Sequence, residues 1–152
     1  MSDPFLEPDD KAVATAHQLI AGARHGALAT LRDGSPFVTR TAIAPVPPGI
    51  FTLVSDLAPH TDALRNTPEA SLLIGEPGRG DPLAHPRITL QVHATFEEKT
   101  DELIAAYLEV QPKAQLYIGF ADFHLVRLTS ISGLLNGGFG KAYKLGADEL
   151  SF

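Results

Sequence analysis

The stretch LVSDLAPHTDALRNTPEASLLI, Leu53 to Ile74, decides how the rest of the chain is read. An apolar run stops at Ser55, and a short polar loop follows that carries His60 and Thr61 side by side. A helical pattern of one or two turns comes next and ends before Pro68. Proline lacks the amide donor and pushes its predecessor out of the helical region, so the helix closes there. A second apolar run then begins at Ala70. Strand, loop, short helix, strand is the order, and it leaves two readings of the loop. In one, Ser55, Asp56 or Thr61 caps the helix and His60 faces water. In the other, the loop is a phosphate cradle, because the start of a helix offers unpaired N–H groups and a positive dipole end.

Working outward, Asp9 and Asp10 precede a helical pattern with Val13, Ala16, Ile20 and Ala23 on one face, and Gly26 is placed to end it. Residues 1–9 read as a flexible arm before it. ALATL and PFVTRTAIA are β-type runs on either side of RDGSP, where Asp-Gly signals a hairpin. PVPPG reads as an unpaired connection to the strand IFTLVS. Beyond the opening stretch, EPGRGDPLAHP is an exposed loop and RITLQVHATFEE a long strand. Thr100 is placed to cap a helix whose buried stripe is Leu103, Ile104, Tyr107 and Leu108, with Pro112 ending it. FHLVRLTSI is the last strand of the count, and GLLNGGFGKAY a glycine-rich tail. Six strands with intervening helices and an early hairpin predict one α+β domain over residues 1–152, built on an antiparallel sheet closed into a barrel.

Composition narrows the function. A net charge of -6 argues against a nucleic-acid partner, which needs a basic face, but leaves room for one phosphate held by a few local cations. Without cysteine there is no disulfide, thiolate metal site or covalent c-type haem. The opening MSDPFLEPDDK lacks the basic and apolar segments of a signal peptide, and no apolar run approaches membrane-spanning length, so a cytoplasmic protein with no membrane partner is expected. No nucleophile elbow, P-loop or zinc motif occurs, and the six histidines are scattered. The residues point to no catalytic group and no metal site. Near the loop, Arg40 on the second strand is the cation positioned to add a charge-assisted contact to a phosphate.

The order helix, GALATLRDGSPFVTRTAIAP, IFTLVSDLAPHTDALRNTPEASLLI and PRITLQVHATF resembles the pyridoxamine 5'-phosphate oxidase-like superfamily, the flavin-binding split barrels. LAPHTDALRNTPEASLLI and the late FADFHLVRL…GGFGKAY look most like its branch of haem iron-utilisation proteins. The resemblance spans roughly residues 10 to 145. It implies a six-stranded Greek-key split barrel, an FMN-dependent oxidoreductase and a homodimer with cofactor sites at the subunit interface. Carried over by position, Arg40 falls near the family's phosphate cation. Ser55, His60 and Thr61 fall on the loop that holds phosphate and ribityl oxygens, and Arg87 near a position reaching the flavin. Pro59-His60 stands where true oxidases of vitamin B6 carry an Arg-Lys pair, and the chain has no tryptophan, so that substrate is not expected.

Two functional classes follow, with a third behind them. One is a flavin enzyme acting on a small-molecule substrate, in which the protein binds, orients and tunes the cofactor. The second is a haem-binding or haem iron-utilisation protein with His124 or His93 as axial ligand. The third is a barrel that has lost its cofactor. Aromatic residues Phe120, Phe123, Phe139 and Tyr143 are more than one small barrel needs, and are expected to lie against a second copy.

Overall fold

The computed structural model describes residues 3–138 and 140–151 of the chain. Helix α1 (Asp10–Gly22) starts where Asp9 accepts the Ala12 amide at 2.8 Å, and buries Ala12, Ala16 and Ile20. Strands β1 (His25–Arg32) and β2 (Ser35–Ala42) follow as a hairpin. Asp33 and Gly34 both take positive φ at its turn, as a two-residue loop between right-twisted strands requires. The opening stretch forms β4 (Gly49–Ser55), α2 (Pro59–Asn66) and β5 (Glu69–Ile74). After the 76–86 loop come β6 (Arg87–Glu97) and α3 (Asp101–Val110), whose first turn is capped by the Thr100 hydroxyl. The 14-residue β7 (Phe123–Asn136) closes the sheet.

The described residues form eight strands where six are expected. The run PFVTRTAIA breaks at Ile43, whose amide bonds to the Arg24 carbonyl, and a separate β3 (Ala44–Val46) folds back on β4. PVPPG is therefore no unpaired connection, since Pro45 and Val46 pair with Ile50 and Gly49. The glycine-rich tail is also sheet. β7 runs on through Gly133 to Asn136, and β8 (Ala142–Gly146) returns along it, followed by the single turn α4 (Ala147–Leu150). Gly133 sits in the strand because a Cβ there would meet Leu150, Ile88 and Leu90 at 3.2–3.3 Å. Gly26 likewise does not end α1, which stops at Gly22. It lies in β1 so close to β5 that a Cβ would fall 2.8 Å from Leu72 Cδ1. At the N-terminus, the stretch read as a flexible arm is tied to β8 by two backbone hydrogen bonds of Leu6, to Ala142 and Lys144.

The sheet runs β2-β1-β5-β6-β7-β4-β3, antiparallel throughout, with β8 also on β7. One edge of β7 pairs with β6 along its length; the other is shared, β4 taking Phe123–Leu128 and β8 taking Ser132–Asn136. Between the two shares lies a bulge, with Ile131 the extra residue opposite Gln91 and Val92. A bulge sharpens twist and bends its strand, which turns the sheet into a split barrel flanked by helices. The main core fills it, built on Leu28, Leu72, Leu90, Val126 and Leu128 with α1 and α2 packed in. A second core under α3 gathers Tyr107, Phe51 and Leu125.

Where β2 meets β4, side chains close the seam. Buried Thr52 donates to the Ala42 carbonyl at 2.8 Å, which leaves the Thr41 hydroxyl to donate to Thr52 at 2.7 Å. Gln111 adds a clamp by donating to the Arg24 and Ile43 carbonyls at 2.6 and 2.8 Å. Replacing Thr52 with valine keeps the shape and strips both partners of a bond. We expect a loss of about 1–3 kcal/mol in urea unfolding, and a less than additive loss when Thr41→Val is combined with it.

Candidate functional site

Two regions hold the residues singled out by sequence, and they lie on different faces. The first is the turn between β4 and α2. Ala58 starts the helix with no side-chain cap, so neither Asp56 nor Thr61 has the capping role. Thr61 is fully buried and donates its one hydroxyl proton to the Ser55 carbonyl at 2.5 Å, which also accepts the Ala58 amide at 3.1 Å. Thr61 therefore holds the turn and has only acceptor capacity left. His60 is half-buried, with Nδ1 at 3.2 Å from the Thr39 hydroxyl across the seam, and burial lowers its pKa. Asp56 bridges the last turn of α2 and the start of β7. One of its oxygens accepts from Arg65 at 2.9 Å and from His124 Nε2 at 2.8 Å. These contacts, Arg65 first, hold its carboxyl below the ordinary value. Arg65 also reaches Asp62 at 3.2 Å and lies 5.1 Å over the Phe96 ring, which meets His124 edge-on.

Arg40 does not join this group. It follows Thr39 on β2, and alternate strand residues face opposite sides, so it stands across from Ala27 on the outer face. Arg87 is further still. It opens β6, about 30 Å along the strand from Phe96, and its guanidinium donates to the Leu83 and His85 carbonyls at 3.0 and 3.3 Å. Of the five positions, Ser55, His60 and Thr61 come together within one chain, while Arg40 and Arg87 stand apart.

The outer face itself is the second region. Two ladders cross six strands on it: Arg40, Ala27, Leu73, Thr89, Leu134, Lys144, and Val38, Ala29, Ser71, Gln91, Ser132, Gly146. In a chain of net charge -6, their only charged members are Arg40 and Lys144 at opposite ends, and Lys144 pairs with Asp3. Concavities of about 580, 410 and 510 Å³ open along this face, within the range of small-molecule sites. His93 stands on it too, Nδ1 at 3.8 Å from Glu69. Sequence reasoning missed the face. Its signal was present in ALATL, ASLLI and ITLQV, where the outward positions are Ala, Leu, Ser, Thr and Gln instead of charged residues. Among the described residues no cluster of three metal-ligating side chains occurs, and no helix is long and apolar enough to cross a membrane.

No protein-family model matches the chain. A curated relative, the haem oxygenase HutZ of Vibrio cholerae, is 29% identical over 125 residues, 78% of this chain and 71% of its own. The solved haem binding protein from Mycobacterium smegmatis is 31% identical and superposes with a TM-score of 0.85, covering 95% of this chain. The chain is similar to the pyridoxamine 5'-phosphate oxidase-like split barrels, and most of all to their haem iron-utilisation branch. It spans 61% of the mycobacterial structure. An FAD-binding protein from Mesorhizobium loti, 15% identical with a TM-score of 0.63 over 82% of this chain and 94% of its own, has a similar fold.

One consequence of the turn is a pH effect. Because burial sets the folded pKa of His60 below its unfolded value near 6.5, the unfolded chain takes up the proton more readily. The neutral imidazole's share of stability is intact above that unfolded value and is lost as pH falls through it towards the folded one. His60→Gln should narrow the drop in the urea midpoint between pH 7.5 and pH 5.5, measured beside wild type.

Proposed function

We propose that this protein binds haem on the outer face of its sheet, with His93 the residue that would hold the iron. One observation carries the reading: a broad, nearly uncharged sheet face with a histidine standing on it, in a chain whose relatives include haem proteins. The two ladders span about 24 Å from β2 to β8, room for a flat macrocycle. His93 Nε2 is open, and Glu69 faces its Nδ1, the side from which a carboxylate orients a ligating imidazole. His124 is the weaker candidate because Asp56 already engages its Nε2, leaving Nδ1. The haem would supply the redox-active iron; the chain supplies the apolar floor, the axial nitrogen and cover from water.

That cover calls for a second copy over the outer face, giving a homodimer with the site between subunits. The aromatic residues expected at such an interface divide. Phe120 is 56% exposed and edge-on to Phe123, whereas Phe123 and Tyr143 are half-buried and Phe139 lies outside the described residues. A flavin reading has its own support in the Ser55–Thr61 turn, where Thr39 and neutral His60 flank the start of α2. It needs Arg40 or Arg87 to come from the second copy.

Hemin titrated into wild type should raise a Soret band that His93→Ala weakens at least tenfold and His124→Ala leaves in place. No Soret band in wild type would end the haem reading, and parallel titration with FMN and riboflavin then tests the other. Preference for FMN over riboflavin, reduced in His60→Ala, supports a phosphate at the turn. Light scattering should give twice the chain mass of 16.2 kDa.

A further inference from the structure

The largest of the concavities, about 580 Å³, lies where the end of α1 meets β1, β2 and β5, and Arg40 lines it. The other charged groups of its lining are already engaged. Arg24 donates to the Ala21 and Ala23 carbonyls at 3.1 and 2.9 Å, covering the negative end of α1. Glu76 is held by His25 Nε2 at 2.6 Å. The Arg40 guanidinium has no hydrogen-bond or ion-pair partner among the described residues, although its five N–H donors suit a planar anion. Leu19, Ala27, Leu73 and Pro77 form the apolar part of the wall, and Gln18 is its uncharged polar side chain. The one charged contact such a cleft leaves open is cationic and fork-shaped.

We propose that this cleft binds the carboxylate of an apolar acid, gripped by Arg40 while Leu73 and Ala27 receive the apolar body. Such a carboxylate has two sources. One is the propionate edge of a porphyrin, which rests on the haem reading above. The other is a free amphipathic acid, which does not. Phosphate fits less well, because a doubly charged group would meet a single open guanidinium with Glu76 nearby.

Two titrations on wild type, Arg40→Ala and Arg40→Lys test it. The first compares hemin with hemin dimethyl ester, which keeps the ring and loses the charge. Wild type should prefer hemin about tenfold or more, Arg40→Ala should abolish the preference without weakening the ester, and Arg40→Lys should retain part of it. The second follows octanoate by amide NMR shifts at Ala27, Leu73 and Glu76. Shifts in wild type that vanish in Arg40→Ala support the cleft even if hemin does not bind, which would remove the haem reading alone. Equal affinity for hemin and its ester, with no octanoate shifts, overturns the proposal and leaves the haem reading standing. Octanoate shifts unchanged in Arg40→Ala overturn it as well.

Discussion

A single strand edge divided between two partners governs this molecule. β7 offers eleven of its residues to β6 on one side, while on the other β4 and β8 each take one half. Two strands cannot leave the same edge in different directions unless that edge bends, and the extra residue at Ile131 supplies the bend. Everything else follows the resulting curvature. The β4 half wraps towards the seam and the α3 core, and the β8 half extends the outer face on which His93 stands. The hydroxyl pair at Thr41 and Thr52 works only because that wrapping brings β4 against β2.

Chemical character divides along the same lines. Inward residues of β1, β5 and β6 are Leu28, Leu72, Ile88 and Leu90, all buried. In the middle of the same strands the outward residues are Ala27, Ala29, Ser71, Leu73, Thr89 and Gln91, with Glu69, Arg87 and His93 further out. A solvated sheet face in an acidic protein ordinarily collects charge. Of the two ladders across this one, only that from Arg40 to Lys144 is charged, and only at its ends, so the face suits an uncharged surface in the middle and an anion at one end.

Local chemistry made much of this legible. Pro68, Asp33-Gly34, Thr100 and the alternation in RITLQVHATF each specify structure within a few residues, and each does so in the fold. Misreadings arose where glycine or proline carried a meaning set by distant residues. Gly133 and Gly26 look like breaks in the sequence, yet both are strand residues shaved down for Leu150 and Leu72. Pro45 looks unable to pair, but it sits on a short edge strand where the missing donor is tolerated. At the site, the strand period alone separates Thr39 from Arg40, whereas the partner of Thr39 depends on a seam no local pattern describes. Loop membership is a sequence property; the face of the sheet to which a side chain belongs is a property of the closed barrel.

The division of β7 also sets a timetable. β4 has only the three-residue β3 to pair with until β7 exists, and β7 begins 68 residues after Ser55. A chain emerging from the ribosome can form its N-terminal hairpin early, since β1 and β2 are adjacent. While the stretch between β4 and β7 is made, however, β4 remains a near-continuous apolar strand with one edge open. Such an edge recruits other strands while it waits. Ribosome-bound chains halted before Phe123 would therefore be the aggregation-prone species, and the step that removes the hazard is the arrival of β7.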